Sequence, residues 1–270
     1  MSDVSRAISE ECSAVVFYGI SPDARAAESF YRTVVEWFTS LGHPPDKVGI
    51  TGPGHSGKLG SFSRGNAKLH KTGFDGIVNF EINSSTPNAV TGHDYFLTAT
   101  YDGADKGLFA DVVARSSLAT LSPTSMLPIA RTLAQVLKPA YGIGYTREHR
   151  LGPELYAVGI CYGGDDVPTG EAYEEARNIS RWCDMGMVKQ VYREGLLRDV
   201  YPWNFLTAPQ LAKPVGGVPL ERWIQQSAER GKIGPLCDGV SLWEVAEAHI
   251  AGVRRALHQA GVIFDWRKYS

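Results

Sequence analysis

Short apolar runs and amphipathic segments alternate along this chain. The run from Ala14 to Ile20 has the length of a buried strand. The dipeptide Ser21-Pro22 follows it and predicts a helix start, with serine as the N-cap and proline in the first helical position. Apolar side chains then recur every three or four residues, as on one face of a helix, at Ala27, Phe30, Tyr31, Val34, Trp37, Phe38 and Leu41. We expect a strand and then a helix that packs on a sheet.

The following segments predict more strands and a second helix. Residues 78–82 alternate between apolar and polar side chains, and residues 95–101 are rich in aromatics and threonine, which is typical of half-buried antiparallel strands. Residues 127–137 show helical spacing before Pro139 interrupts them. Two further strands are predicted over residues 141–145 and 155–162.

The second half of the chain repeats this mixture of elements. Thr207-Ala-Pro-Gln210 fits a capping box at the start of a short helix, and Cys237-Asp-Gly239 is a strong hairpin signal. The predicted elements are a helix over 169–182, a strand over 191–205, a helix over 218–227, strands over 233–236 and 240–245, a helix carrying Ala246, Ile250, Val253 and Leu257, and a strand over 262–264.

The order of these elements predicts an α+β fold, with amphipathic helices packed on one face of a mostly antiparallel sheet. Each half contains strand-helix-strand units, so two related βαβ-containing halves are also compatible with the pattern. We divide the chain into an N-terminal half, residues 1–162, and a C-terminal half, residues 163–270. No low-complexity linker separates them, and we expect one compact unit.

Composition excludes several classes of protein. With 43% hydrophobic residues in 270, the chain should bury roughly three quarters of its unfolded surface, which excludes global disorder. The formal charge of -2 argues against nucleic-acid binding by bulk electrostatics. No apolar run approaches the ~20 residues of a membrane span, and the polar start from Met1 to Glu11 lacks the features of a secretory signal.

The four cysteines favour a reduced protein without bound metal. They form no CxxC pair and have no closely spaced histidine partner, so neither a zinc site nor another metal site is predicted. We expect free thiols, a cytoplasmic location and no cofactor.

One segment resembles a phosphate-binding loop. Gly52-Pro-Gly-His-Ser-Gly57-Lys58 follows a predicted strand and matches most of a P-loop. A P-loop needs serine or threonine after the lysine to hold magnesium, but Leu59 occupies that position, and Gly60 and Gly65 oppose the required helix. We predict a flexible loop here, with an anion contact by Lys58 favoured over nucleotide binding.

Two other groups of residues have a structural and a functional interpretation. Cys161, His149 and Asp165 or Asp166 could form a nucleophile, base and orienting acid, although a buried structural thiol is the commoner role of a cysteine in an apolar run. The aromatic stretch Leu197 to Thr207 predicts core packing, with Arg198 and Asp199 paired across a strand, in preference to a ligand or partner site.

The densest run of one charge is acidic. No basic residue occurs from Leu151 through Ala176. Acidic groups at a helix start interact favourably with the helix dipole, so a solvated turn explains the run, whereas the same carboxylates would also steer a basic partner. The predicted partner-binding residues are Asp165, Asp166, Glu171, Glu174 and Glu175.

The last third of the chain also carries a resemblance. It rests on Leu197 to Leu211, Trp223-Ile224, Leu242-Trp-Glu-Val245, Val253-Arg254, Leu257 and Gly261. These segments resemble bacterial proteins similar to the immunity proteins of polymorphic toxin systems, especially those that neutralise restriction-endonuclease-like toxins. The resemblance implies a non-catalytic cytoplasmic protein that occludes a cognate toxin.

Two alternatives remain open at this point. One is an enzyme with a pocket between the halves, using His149, Cys161, Asp199 or Tyr201. The other is a structural subunit of a phage or mobile-element complex.

Overall fold

A computed structural model describes residues 10–87, 89, 94–104, 108–162 and 169–269. Helices occupy α1 (Ala24–Ser40), α2 (Phe62–Thr72), α3 (Met126–Leu137), α4 (Pro153–Ala157), α5 (Glu171–Lys189), α6 (Ala208–Leu211), α7 (Leu220–Gln225) and α8 (Glu247–Gln259). Strands occupy β1 (Glu11–Tyr18), β2 (Lys47–Gly52), β3 (His55–Ser56), β4 (Gly60–Ser61), β5 (Asn79–Ser85), β6 (Tyr95–Asp102), β7 (Phe109–Arg115), β8 (Tyr141–Glu148), β9 (Trp203–Leu206), β10 (Pro214–Val215), β11 (Val218–Pro219), β12 (Lys232–Cys237) and β13 (Val240–Glu244).

One large antiparallel sheet organises these elements, which confirms the predicted α+β class. Its strands lie in the order β12-β13-β9-β8-β1-β7-β6-β5-β2-β3, and β4 pairs with β2. β9 pairs with β8 through Gly142↔Phe205, Ile143↔Asn204 and Gly144↔Trp203. Strands from both sides of residue 162 therefore belong to the same sheet.

Helices cover both faces of the sheet, not one as expected. In β1, Val15 and Phe17 point into a core cluster that includes side chains of α1 and α3, whereas Val16 and Tyr18 point into a second cluster that includes side chains of α5 and α8. Because both faces are covered, the central strands β1 and β7 are buried along nearly their whole length. The sequence pattern alone did not reveal the second layer.

Several predicted elements are confirmed with shifted boundaries. The first helix begins at Ala24, and its N-cap is Asp23, not Ser21, since the Asp23 carboxylate accepts a hydrogen bond from the Ala26 amide at 2.7 Å. The capping box at Thr207 is present, with the Gln210 side chain accepting from the Thr207 amide at 2.9 Å. The hairpin around Cys237-Asp-Gly239 forms as β12 and β13.

Other expectations were wrong. Residues 155–162 do not form a strand, because Pro153 occupies the first turn of helix α4, where its fixed φ favours helix. Residues 191–205 begin with a 3-10 turn that ends at Gly195, and only β9 is extended in register with the sheet. The predicted face of the last helix is only partly buried, since Ala246 precedes α8 and is exposed.

Candidate functional site

Helix α5 carries the predicted acidic residues and is fixed to the sheet by its opposite side. Ala176, Ile179, Trp182 and Cys183 are buried on one helical face. The Trp182 ring packs edge-on against Tyr18, with 4.9 Å between ring centroids, and also contacts Tyr141 and Tyr192. The aromatic contacts join α5 to the sheet and so determine which face of the helix is exposed.

The C-terminal segment is clamped beside α5. The side-chain amide of Asn178 donates to the Phe264 carbonyl at 2.7 Å, and its oxygen accepts from the Trp266 amide at 2.9 Å. The Arg177 guanidinium lies 3.8 Å from the centroid of the Trp266 ring. These contacts place residues 264–267 along one edge of α5.

A cleft of about 860 Å³, which we call the charged cleft, lies between α5, α8 and this C-terminal segment. Three of the predicted partner-binding residues line it. Glu174 forms an ion pair with Arg267 at 2.6 Å, and Glu175 forms one with Arg254 at 3.4 Å. Glu171 is exposed and has no ion pair within the described part of the chain. Asp165 and Asp166 lie outside the described residues.

Arg198 and Asp199 do not pair with each other, in contrast to the prediction. The Asp199 carboxylate accepts from Arg254 Nε at 2.7 Å, and burial raises the pKa of Asp199 against the opposing effect of Arg254. The Arg198 guanidinium is fully buried and donates to the Tyr18 hydroxyl at 2.7 Å and to the Tyr156 carbonyl at 2.6 Å. The two side chains therefore serve separate contacts.

A second cleft of about 520 Å³ lies between residues 159–162 and α5. We call it the apolar cleft after the exposed hydrophobic side chains at its edge; Arg177, Arg181 and Asp184 also line it. The described residues include four large exposed hydrophobic side chains: Val78 at 37%, Ile160 at 48%, Tyr162 at 38% and Tyr173 at 37%. Three of these four line the apolar cleft, and Tyr173 also lines the charged cleft. Grouped exposed hydrophobic residues of this kind mark interaction surfaces, whereas scattered ones do not.

The segment that presents Ile160 and Tyr162 is held by its backbone. Arg147 donates to the Cys161 carbonyl, and the Cys161 thiol donates to the Ala176 carbonyl of α5 at 3.6 Å. Gly159 has a φ of +91°, and a Cβ at this position would lie 2.9 Å from Cβ of Cys183. Glycine therefore permits the close approach of this segment to α5.

The side chains considered for an enzyme are spread over different surroundings. Cys161 lines the apolar cleft and Asp199 lines the charged cleft, whereas His149 and Tyr201 line neither. Burial raises the pKa of the Cys161 thiol, which favours the unreactive protonated form. His149 packs against Tyr95, with 4.9 Å between ring centroids.

The described residues contain no cluster of three or more histidine, cysteine or acidic side chains arranged to hold a metal ion. All four cysteines are free thiols. Among the described helices, none is both long enough and apolar enough to span a bilayer.

Comparison with known proteins identifies a shared fold. No protein-family model matches the chain, and no curated protein matches it significantly. The solved structure of a Pseudomonas aeruginosa T6SS protein, PA0821, superimposes with a TM-score of 0.62 at 14% sequence identity. The similarity covers 94% of this chain and 73% of the other. At this identity the likeness establishes a common fold.

Proposed function

We propose that this chain is a non-catalytic cytoplasmic binding protein, specifically an immunity protein that occludes a cognate bacterial toxin. The observation that carries the proposal is the grouping of Ile160, Tyr162 and Tyr173 in one cleft beside the acidic surface of α5. Protein interfaces characteristically place aromatic and apolar anchors within a polar rim. The T6SS protein in the comparison is compatible with a toxin-system role.

The acidic start of α5, which lines the neighbouring charged cleft, favours a basic partner, whereas Arg177, Arg181 and Asp184 line the apolar cleft itself. Glu171 is exposed, and the run that includes Asp165 and Asp166 adds further carboxylates in sequence. Glu174 and Glu175 are already paired with Arg267 and Arg254, so they contribute less net negative charge than the sequence predicts. We therefore assign most of the binding energy to the apolar cleft and assign to the acidic residues the steering of the encounter.

Removing the apolar anchors should abolish tight binding. We expect the double variant Ile160→Ser/Tyr173→Ala to weaken the Kd for the toxin by at least about tenfold, mainly through faster dissociation, because such anchors dominate interface energetics. The toxin is sought as the product of the neighbouring gene, and binding is measured by surface kinetics together with protection of growth when toxin and protein are co-expressed.

Val78→Ser is the matched control, because Val78 is equally exposed and lines neither cleft. It should bind and protect as the unmodified chain does. If the double variant melts normally and still binds with unchanged affinity, the apolar cleft is not the interface. If the unmodified chain does not bind the neighbouring gene product and does not protect growth, the immunity function itself is rejected.

Reversing the acidic charge should act on the association rate. Glu171→Lys should slow association and reduce its dependence on salt, and adding Asp165→Lys and Asp166→Lys should increase both effects. Surface kinetics at two salt concentrations measures them. Each acid at a helix start contributes about 0.3–1 kcal/mol to stability, so melting is checked first.

Glu221→Lys is the control for this charge reversal. Glu221 is also an exposed acid in a first helical turn, in α7, and it lines neither cleft. An association rate that is unchanged in the folded triple variant would place the interface elsewhere.

A further inference from the structure

The segment that resembles a P-loop forms one wall of a third cleft. Residues 52–58 are not the flexible loop expected from the sequence, because β3 and β4 pair with β2 before helix α2 begins at Phe62. A cleft of about 510 Å³ lies between this hairpin and α2. We call it the basic cleft, because its nitrogen-bearing side chains are His55, Lys58, Arg64 and Lys68.

The positive charge of the basic cleft is not compensated. No aspartate or glutamate occurs between Asp46 and Asp75 in the sequence, and no carboxylate lines the cleft. Within the described part of the chain, Lys58, Arg64 and Lys68 form no ion pair, whereas Arg32, Arg115 and Arg254 do.

The cations also repel one another in the absence of an anion. Arg64 and Lys68 are four residues apart on α2, a spacing at which like charges destabilise a helix. Partial burial and the charge of Lys68 lower the pKa of His55. An anion bound between these groups would relieve this repulsion.

The walls of the cleft are held in place. Lys68 donates a hydrogen bond to the Gly54 carbonyl, and His55 Nε2 lies 3.0 Å from the Thr72 hydroxyl, so both ends of the hairpin tip are joined to α2. A Cβ at Gly65 would lie 2.4 Å from Cγ1 of Val48, so glycine allows α2 to lie directly on β2. The backbone walls of the cleft are therefore preformed, whereas the exposed side chains of Lys58 and Arg64 become ordered when a ligand binds.

We propose that the basic cleft binds a phosphate-bearing anion, with Lys58, Arg64 and Lys68 supplying the positive charge. The first turn of α2 adds a favourable dipole, although its Phe62 amide donates to the Asp46 carbonyl at 2.8 Å and the Ser61 hydroxyl lies 3.0 Å from that of Ser63. Leu59 follows Lys58, so the loop offers no hydroxyl to hold magnesium in the manner of a P-loop. The site is separate from the proposed toxin-binding surface and does not depend on that function.

The test uses pyrophosphate and calorimetric titration of the full chain at low ionic strength with a chelator present. We expect saturable binding that weakens as salt is added, and a loss of affinity of about tenfold or more in Lys58→Ala and in Arg64→Ala, because each removes a charge-assisted contact. Lys71→Ala is the matched control, since Lys71 is an exposed cation on the same helix but lies outside the cleft.

Two results would overturn the proposal. One is the absence of saturable pyrophosphate binding to the unmodified chain, and the other is an equal loss of affinity in Lys71→Ala, which would indicate bulk electrostatics. A second titration, with a nucleoside diphosphate and no magnesium, identifies the source of the phosphate. If the nucleoside diphosphate binds more tightly than pyrophosphate, and Arg64→Ala weakens both to the same extent, the ligand is a nucleotide. If the two bind equally, the cleft recognises the phosphate groups alone.

Discussion

Replacing Trp182 with alanine should lower the free energy of unfolding by about 3–5 kcal/mol, the range found when a buried tryptophan or phenylalanine is truncated to alanine. Trp182 is fully buried and packs against Tyr18, Tyr141 and Tyr192. These contacts join α5 to the sheet. Because α5 forms one wall of both the apolar and the charged clefts, the same variant should lose binding of the proposed partner. Denaturant unfolding followed by fluorescence and circular dichroism measures the stability change.

Trp182→Phe separates ring packing from hydrogen bonding. The indole N–H of Trp182 has no acceptor within the described part of the chain, so phenylalanine removes no hydrogen bond and keeps most of the aromatic contact. We expect it to cost about half of the alanine effect or less, and to retain partner binding. A loss as large as that of alanine would show that the N–H has a partner that matters, and a negligible loss in both variants would contradict the anchoring role.

The sequence predicted elements with local signals well. β1, α1, α3 and the hairpin of β12 and β13 follow from apolar periodicity and from turn residues that act within a few positions. The order of strands in the sheet is a different problem, because it depends on contacts between residues far apart in sequence. Nothing local places the second-half strand β9 beside β8.

The errors in the fold prediction also have physical causes. We did not predict β7, although Phe109-Ala-Asp-Val-Val-Ala-Arg115 is a short apolar run, because it contains an aspartate and an arginine that interrupt the pattern. Residues 155–162 resemble a strand in composition, but Pro153 favours a helix start and Gly159 adopts a left-handed conformation.

The candidate site was predicted only in part. The sequence identified the acidic start of α5, but it did not show that Glu174 meets Arg267 or that Glu175 meets Arg254, since each pair joins residues that are distant in sequence. The apolar cleft was missed because Ile160 and Tyr162 were assigned to a buried strand. Exposure of these side chains is a tertiary property, which residue type alone does not reveal.

Asp111 is the second residue whose substitution should have a large effect, and here the effect is stabilising. It lies in the central strand β7, opposite Val16 of β1 and Thr100 of β6, and is almost fully buried. Its carboxylate accepts a hydrogen bond from the Thr100 amide at 2.9 Å. Burial raises the pKa of Asp111 to about 8, the Thr100 amide partly opposes this, and the charge of Glu154 adds to it.

The raised pKa predicts that stability falls as pH rises. Between about pH 4 and about pH 8 the folded chain keeps a proton on Asp111 that the unfolded chain has released, so the free energy of unfolding decreases with pH across this window and this contribution is constant above it. At 1.36 kcal/mol per pKa unit, the total cost is on the order of 5 kcal/mol. The carboxyl group is therefore best tolerated in its neutral form.

Asp111→Asn should accordingly stabilise the protein at high pH by on the order of 5 kcal/mol, because the neutral amide never carries the buried charge and its oxygen can still accept from the Thr100 amide. At about pH 4, where Asp111 is protonated in the folded chain, the two proteins should differ little. Urea unfolding at both ends of the range measures this difference. Asp75→Asn, at an exposed aspartate, is the control for the substitution itself. The free energies of unfolding of Asp111→Asn and the unmodified chain could instead differ by a constant amount from about pH 4 to about pH 9. That result would mean that Asp111 does not change its protonation in this range. Contacts stronger than the single Thr100 amide would then compensate for its burial.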